Sequence, residues 1–126
     1  MRLTYFGEKK EIGPCKVEIE IDYEDGIVVY AQLKHIVKHS PDGFQWGYMG
    51  SGPADLALSI LTDFCERFKF GHKKYPDIFH QKFKEDFLWK KKLNITSDEI
   101  TIWFKNIVKI EPSLPKGRGF SFLRDY

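Results

Sequence analysis

The stretch of sequence that decides the fold is CKVEIEIDYEDGIVVYAQL, which spans residues 15–33. Its first half alternates apolar and charged side chains, which is typical of a strand with one buried and one solvated face. Asp25 and Gly26 favour a tight turn, because both tolerate positive φ. The run 27–33 predicts a second strand, so residues 15–34 are expected to form a β-hairpin. Because this run is almost entirely apolar, it favours a central position in the sheet.

Helical periodicity follows the hairpin. Pro53 suits the first helical position, with Ser51 or Gly52 as the cap, and apolar side chains recur at i, i+4 spacing over 53–69. A second helix is predicted over 76–92. Its apolar stripe consists of Phe79, Phe83 and Phe87.

The spacing of Thr96 and Glu99 matches a capping box, which predicts that an element begins there. Residues 98–109 fit a helix, although their β-branched content leaves a strand as the alternative. We therefore expect an α+β fold, in which an antiparallel sheet of three or four strands from the N-terminal half is packed on one face by two or three helices. Residues 1–111 are expected to form a single compact domain, and 112–126 an extended or mobile tail.

Composition limits the classes of protein to which the chain can belong. Its 126 residues are 42% hydrophobic and 30% charged, which excludes a disordered chain and suits one domain. No apolar run reaches the roughly 20 residues of a membrane span, and no signal-peptide core follows the first residues. Two cysteines, Cys15 and Cys65, are too few for a disulfide framework and are expected to be buried. These features predict a cytoplasmic protein.

The net charge of +2 conceals an uneven distribution along the chain. Residues 1–30 carry four basic and seven acidic side chains, a balance of −3. Residues 67–92 carry nine basic and three acidic side chains, a balance of +6. A cluster of lysines in the second segment can contact phosphate groups, which makes nucleic-acid binding one alternative function. These lysines are Lys82, Lys84, Lys90, Lys91 and Lys92.

The most specific candidate site is the glycine-rich turn before the first helix. Gly50, Ser51 and Gly52 would leave backbone N–H groups at the positive end of the helix dipole, where phosphates and carboxylates bind. Trp46 and Tyr48 lie on one side if the segment is extended, and could contact the same ligand. The alternative interpretation is structural: the glycines permit positive φ and close approach, and the aromatic rings seal the core.

Residues for catalysis or metal binding are not evident. The histidines His35 and His39 would not share a face on a strand end, and His80 is isolated in sequence. No paired carboxylates, serine nucleophile motif or metal-ligand spacing occurs. We therefore expect no cofactor and no metal, and an enzyme is the least supported class.

The stretch HSPDGFQWGYMGSGPADLAL, residues 39–58, resembles the signature of a domain-of-unknown-function family of small proteins from bacteria, phages and mobile elements. Members share the pattern H-S-P-x-G-F-x-W-G-Y-G-G-S-G-P-A-x-L-A, and Met49 stands where glycine is usual. The resemblance implies no activity. The residues predict a non-enzymatic binding module for an anionic ligand. A protein-interaction factor of a phage or mobile element is the alternative, and its partner is unknown.

Overall fold

A four-stranded antiparallel sheet and three helices make up the computed structural model of this protein. It describes residues 1–39, 43–48, 50–90 and 92–110, with only the backbone of 109 and 110. The elements in chain order are β1 (Arg2–Gly7), β2 (Val17–Asp22), β3 (Val28–Gln32), α1 (Ser51–Phe68), α2 (Tyr75–Phe87), β4 (Leu93–Thr96) and α3 (Ser97–Ile110). The predicted α+β class is confirmed. The predicted tail, 112–126, lies outside the described residues.

The sheet has the order β3-β2-β1-β4, and every neighbouring pair is antiparallel. The predicted hairpin is confirmed, with Ile21 opposite Val29. Two expectations were wrong. The apolar strand β3 is an edge strand and not a central one, and the fourth strand comes from the C-terminal half of the chain. The reason is that β4 pairs with β1, placing Ile95 beside Tyr5, and thereby extends the sheet on the side away from β3.

Alternation within the strands separates the two faces of the sheet. Ile19 and Tyr5 are completely buried and face the helices, whereas Glu18 and Glu20 point to the opposite face. Because side chains of a strand alternate between faces, this pattern buries one face only. The helices therefore pack on a single face, as the sequence predicted.

Helix α1 begins at Ser51, two residues before the predicted start, and its N-cap is Gly50. It ends at Phe68, where Lys69 adopts the left-handed conformation with φ of 49°. Burial of the helix is extensive, since Leu56, Ile60 and other residues of its stripe have no exposed surface. This helix therefore contributes a large part of the core.

Helix α2 ends at Phe87, so the prediction that it runs to Lys92 was wrong. Leu88, which follows it, is buried, and its carbonyl accepts a hydrogen bond from the N–H of Gly47 at 2.6 Å. The chain then enters β4. Pairing with β1 gives the backbone groups on one side of residues 93–96 partners in another strand, in place of the internal bonds of a longer helix.

Helix α3 settles the assignment that the sequence left open, because residues 97–110 are helical. The predicted capping box is present: Thr96 N–H donates to Glu99 Oε1 at 3.1 Å, and Glu99 N–H donates to Thr96 Oγ1 at 3.2 Å. Within the described part of the chain, no helix has the length and apolar character needed to cross a membrane.

Candidate functional site

Trp46 and Tyr48 occupy different environments. The side chain of Trp46 has no exposed surface, whereas Tyr48 is 47% exposed. Gly47, between them, has φ of +87°, which breaks the alternation of an extended strand. The two rings were expected on one side only if the segment is extended, and Gly47 shows that it is not. Trp46 is a core residue, and of the two rings only that of Tyr48 is accessible to a ligand.

The ring of Tyr48 lies against the first turn of α1. A Cβ atom at Gly50 would stand 2.5 Å from Cε2 of Tyr48, and one at Gly52 would stand 3.1 Å from its hydroxyl oxygen. Gly50 has φ of −170°, which is extended backbone, so a Cβ here would displace the Tyr48 ring without straining the backbone. This geometry agrees with the structural interpretation of the glycines.

The start of α1 is exposed at one residue only among those described at positions 50–52. Gly52 is buried and Ser51 is exposed. No side chain caps the helix at Gly50, and its first turn carries no acidic residue. The positive end of the helix dipole is therefore not neutralised by these means. The ammonium group of Lys9 lies 5.9 Å from the centre of the Tyr48 ring and adds a cation nearby.

The lysines predicted to contact nucleic acid do not form one helix face. Lys82 and Lys84 are on α2, and Lys82 is paired with Asp86 at 3.3 Å. Lys90 and Lys92 follow the helix and are exposed, and Lys91 lies outside the described residues. Lys92 instead helps to line a groove of about 570 Å³ on the open side of the sheet. Other residues of this groove are Phe6, Lys10, Lys16 and Glu18.

Asp55, a buried carboxylate to which the sequence assigned no role, anchors residues 35–39, the segment before the glycine-rich turn. Asp55 on α1 has no exposed surface. It accepts hydrogen bonds from the N–H of His39 at 2.7 Å, the N–H of Lys38 at 3.2 Å and Nε2 of His35 at 3.1 Å. A charged residue within the apolar stripe of a helix was the available signal, since buried carboxylates need partners.

His39 and His80 form a pair that connects this segment to α2. Their Nε2 atoms are 3.1 Å apart, so the expectation that His80 is isolated was wrong in space. Nδ1 of His80 lies 2.7 Å from the carbonyl oxygen of Asp77, which only accepts hydrogen bonds. His80 therefore carries its proton on Nδ1, and when it is neutral its Nε2 accepts from Nε2–H of His39.

The surroundings of His80 favour its neutral form. Burial lowers the pKa of His80, and the charges of His39 and Lys38 lower it further. The hydrogen bond to the backbone of Asp77 acts in the opposite direction. A neutral His80 explains how the two imidazole rings hydrogen bond to each other, because its unprotonated Nε2 can accept. In the described part of the chain, no group of three potential metal ligands surrounds these rings.

Both cysteines are free and buried, as predicted. Burial, with a smaller contribution from the Glu66 charge, raises the pKa of the Cys65 thiol to about 12. Cys65 therefore stays protonated at neutral pH and is a poor nucleophile. The sulfur of Cys15 accepts a hydrogen bond from the N–H of Lys10 at 3.2 Å.

The outer edge of β3 is the most exposed apolar feature of the sheet. Tyr30 is 62% exposed, Val28 44% and Val29 43%. No strand in the described part of the chain pairs with this edge. The sequence predicted this strand, but its apolar run does not mark a central position in the sheet.

Comparison with models of known protein families matches residues 5–106 with DUF6166, which is described as a family of unknown function. No curated protein and no solved structure matches the chain. The H-S-P signature and the bacterial or phage origin stay predictions.

Proposed function

The chain belongs to DUF6166, a family of unknown function, and we propose that it is a protein-interaction module that binds an extended partner segment along the outer edge of β3. The observation that carries this proposal is an edge strand of uncharged residues, VVYAQ, four of whose five side chains are exposed. Natural proteins usually protect such edges with charges, proline or bulges. None of these occurs between Val28 and Gln32.

The backbone of β3 provides the means of binding. Leu33 N–H donates to the carbonyl of Val17, and Tyr23 N–H donates to the carbonyl of Ile27, both at 3.0 Å. Residues 27 and 33 thus point their backbone groups toward β2. Because this direction alternates along an antiparallel ladder, the backbone groups of Val28 and Tyr30 point away from the sheet. An added strand would bond to them, and exposed side chains beside them would supply specificity.

A displayed library of strand-length peptides tests the proposal. We expect selection on this protein to enrich extended, apolar peptides, and Tyr30→Lys to weaken their binding at least tenfold, because it places a charge on the edge. Lysine at this position lies opposite Glu20, so the sheet should tolerate it. Ile102→Lys is the matched control, since Ile102 on α3 is 60% exposed. No enriched peptide, or equal binding by both variants, would contradict the proposal.

The first turn of α1 is a second candidate, for an anionic ligand such as a nucleotide. It is supported by the helix start, which no side chain caps, and by Lys9 beside Tyr48. In a thermal-shift titration with a nucleotide panel and inorganic phosphate, we expect a higher Tm for the wild type. Ser51→Glu should remove that increase, because its carboxylate occupies the positive end of the dipole. An unchanged Tm with every compound would eliminate this candidate.

Nucleic-acid binding through the lysines has the least geometric support, because Lys82 is already paired with Asp86, and the exposed Lys90 and Lys92 lie outside the helix that carries Lys82 and Lys84. We also propose that the protein is cytoplasmic. The two free thiols, which suit a reducing compartment, support it.

A further inference from the structure

We propose that the partner strand is supplied by a second copy of this chain, and that the two β3 strands pair antiparallel with Tyr30 opposite Tyr30 of the second copy. This inference rests on the proposed function and names its partner. The pairing would join two four-stranded sheets into one continuous sheet around a two-fold axis.

The register follows from the direction of the backbone groups. Within β3, the residues whose N–H and C=O point outward are Val28, Tyr30 and Gln32, as the bonds between β2 and β3 require. With Tyr30 on the axis, Val28 of each copy faces Gln32 of the other. All three residues then exchange main-chain hydrogen bonds with the second copy. A shift of two residues in either direction loses one of these pairs, so the symmetric register satisfies the most backbone groups.

The side chains of the strand suit a copy of themselves. Every residue from Ile27 to Leu33 is uncharged, so pairing two copies brings no like charges together along the strand. Val29 is exposed on the helix side of the sheet, where it would lie opposite Ala31 of the second copy. Burial of this exposed apolar surface provides a driving force.

Charges at the two ends of β3 are complementary in this register. The exposed acidic residues Glu24 and Asp25 precede the strand, and the exposed Lys34 follows it. Antiparallel pairing around Tyr30 places the acidic turn of one copy beside Lys34 of the other, twice by symmetry. Lys34 has no ion pair within the described residues of its own chain, so its ammonium group is available. A parallel arrangement would instead bring the acidic turns together.

The other edge of the sheet is a weaker partner for β3. Strand β4 has only four residues, with the exposed Asn94 among them, and the exposed lysines Lys90 and Lys92 precede it. Short length and flanking charge are common means of protecting an edge. Pairing of β3 with β4 of another copy would also leave a free β3 and a free β4 at the ends of the pair, and so lead to a ring or an open filament, whereas β3 with β3 closes as a dimer.

The size of the interface predicts a weak dimer. One strand pair with its neighbouring side chains lies at the low end of specific interfaces, which bury roughly 1,200–2,000 Å². We therefore expect monomers at low micromolar concentration and a concentration-dependent dimer above it.

Sedimentation equilibrium of the full chain over a concentration series is the first test. We expect the mass to rise toward twice the monomer mass for the wild type and for Ile102→Lys. Tyr30→Lys should stay monomeric, with a circular dichroism spectrum and thermal melt that show it is folded. A wild type that is monomeric at every concentration, or a Tyr30→Lys variant that dimerises like the control, would overturn the proposal.

A cross-link tests the register independently of affinity. Tyr30→Cys should form a disulfide-linked dimer on mild oxidation, because residues opposite each other across the axis come within disulfide distance. Ile102→Cys should not, and the native cysteines are buried. Equal cross-linking of both variants would contradict the register.

Failure of the dimer and failure of the proposed function give different results. If the chain is monomeric but binds selected peptides, and Tyr30→Lys abolishes that binding, the partner is another protein and only this inference is wrong. If the chain neither dimerises nor binds peptides, both are wrong. Slow amide exchange at Val28 and Tyr30 in a monomer would show that the chain covers its own edge, which also overturns the dimer.

Discussion

Replacing Asp55 with alanine is expected to lower the free energy of unfolding by about 3–5 kcal/mol, because it leaves two backbone N–H groups and an imidazole without their buried acceptor. The carboxylate has no exposed surface, and it accepts from two backbone N–H groups and one imidazole. The backbone donors of Lys38 and His39 cannot move to water without releasing their segment from α1. Local loss of that segment would also separate His39 from His80.

Chemical denaturation followed by circular dichroism measures the effect. Asp98→Ala is the matched control, because Asp98 is 59% exposed and its pair with Arg2 at 3.4 Å is worth about 1 kcal/mol or less. Nuclear magnetic resonance should show the imidazole resonances of His39 and His80 shifting in Asp55→Ala and not in the control. A loss of stability no larger than that of Asp98→Ala would show that Asp55 does not anchor the segment.

Replacing Trp46 with alanine is also expected to cost about 3–5 kcal/mol, the usual range for a large aromatic residue removed from a core. Trp46 is among the largest completely buried side chains. Its ring reaches β1, where a Cβ at Gly7 would stand 3.2 Å from Cη2 of the indole. The cavity would therefore open between the sheet and the loop that leads to α1.

Tyr48→Ala is the control for Trp46→Ala, because it removes an aromatic ring from the same loop but from a half-exposed position. We expect a cost of about 1 kcal/mol or less for this change. Urea unfolding should be followed by circular dichroism, since Trp46 is one of only three tryptophans and its loss alters fluorescence. Similar losses of stability in the two variants would mean that the loop does not seal the core through Trp46.

Local sequence patterns predicted the helices and strands better than they predicted which of these elements contact one another. The hairpin was predictable because the alternation of Val17, Ile19 and Ile21 is a property of one strand. The capping box of α3 was predictable because Thr96 and Glu99 bond within one helical turn. The end of α2 was not, because Leu88 leaves the helix to bond with Gly47, which lies 41 residues earlier in the chain.

In the candidate site, too, the sequence indicated some residues, whereas their contacts depend on the tertiary structure. The glycines before α1 were recognised in the sequence, but the reason for them is the ring of Tyr48, which packs on Gly50 and Gly52. The pair of His39 and His80 has no sequence signal, because its members are 41 residues apart and meet only when α2 packs beside the segment held by Asp55.

Residues 15–33 show which features the local sequence determines and which the tertiary structure determines. Its sequence by itself determined two strands, their turn and the buried face of the first strand, since each depends on alternation and on neighbouring residues. Only the tertiary structure decided that β3 is an edge, because β4 pairs with β1 and leaves the outer side of β3 without a strand among the described residues. An apolar strand indicates that burial is favourable, but not whether its own chain or a partner provides it.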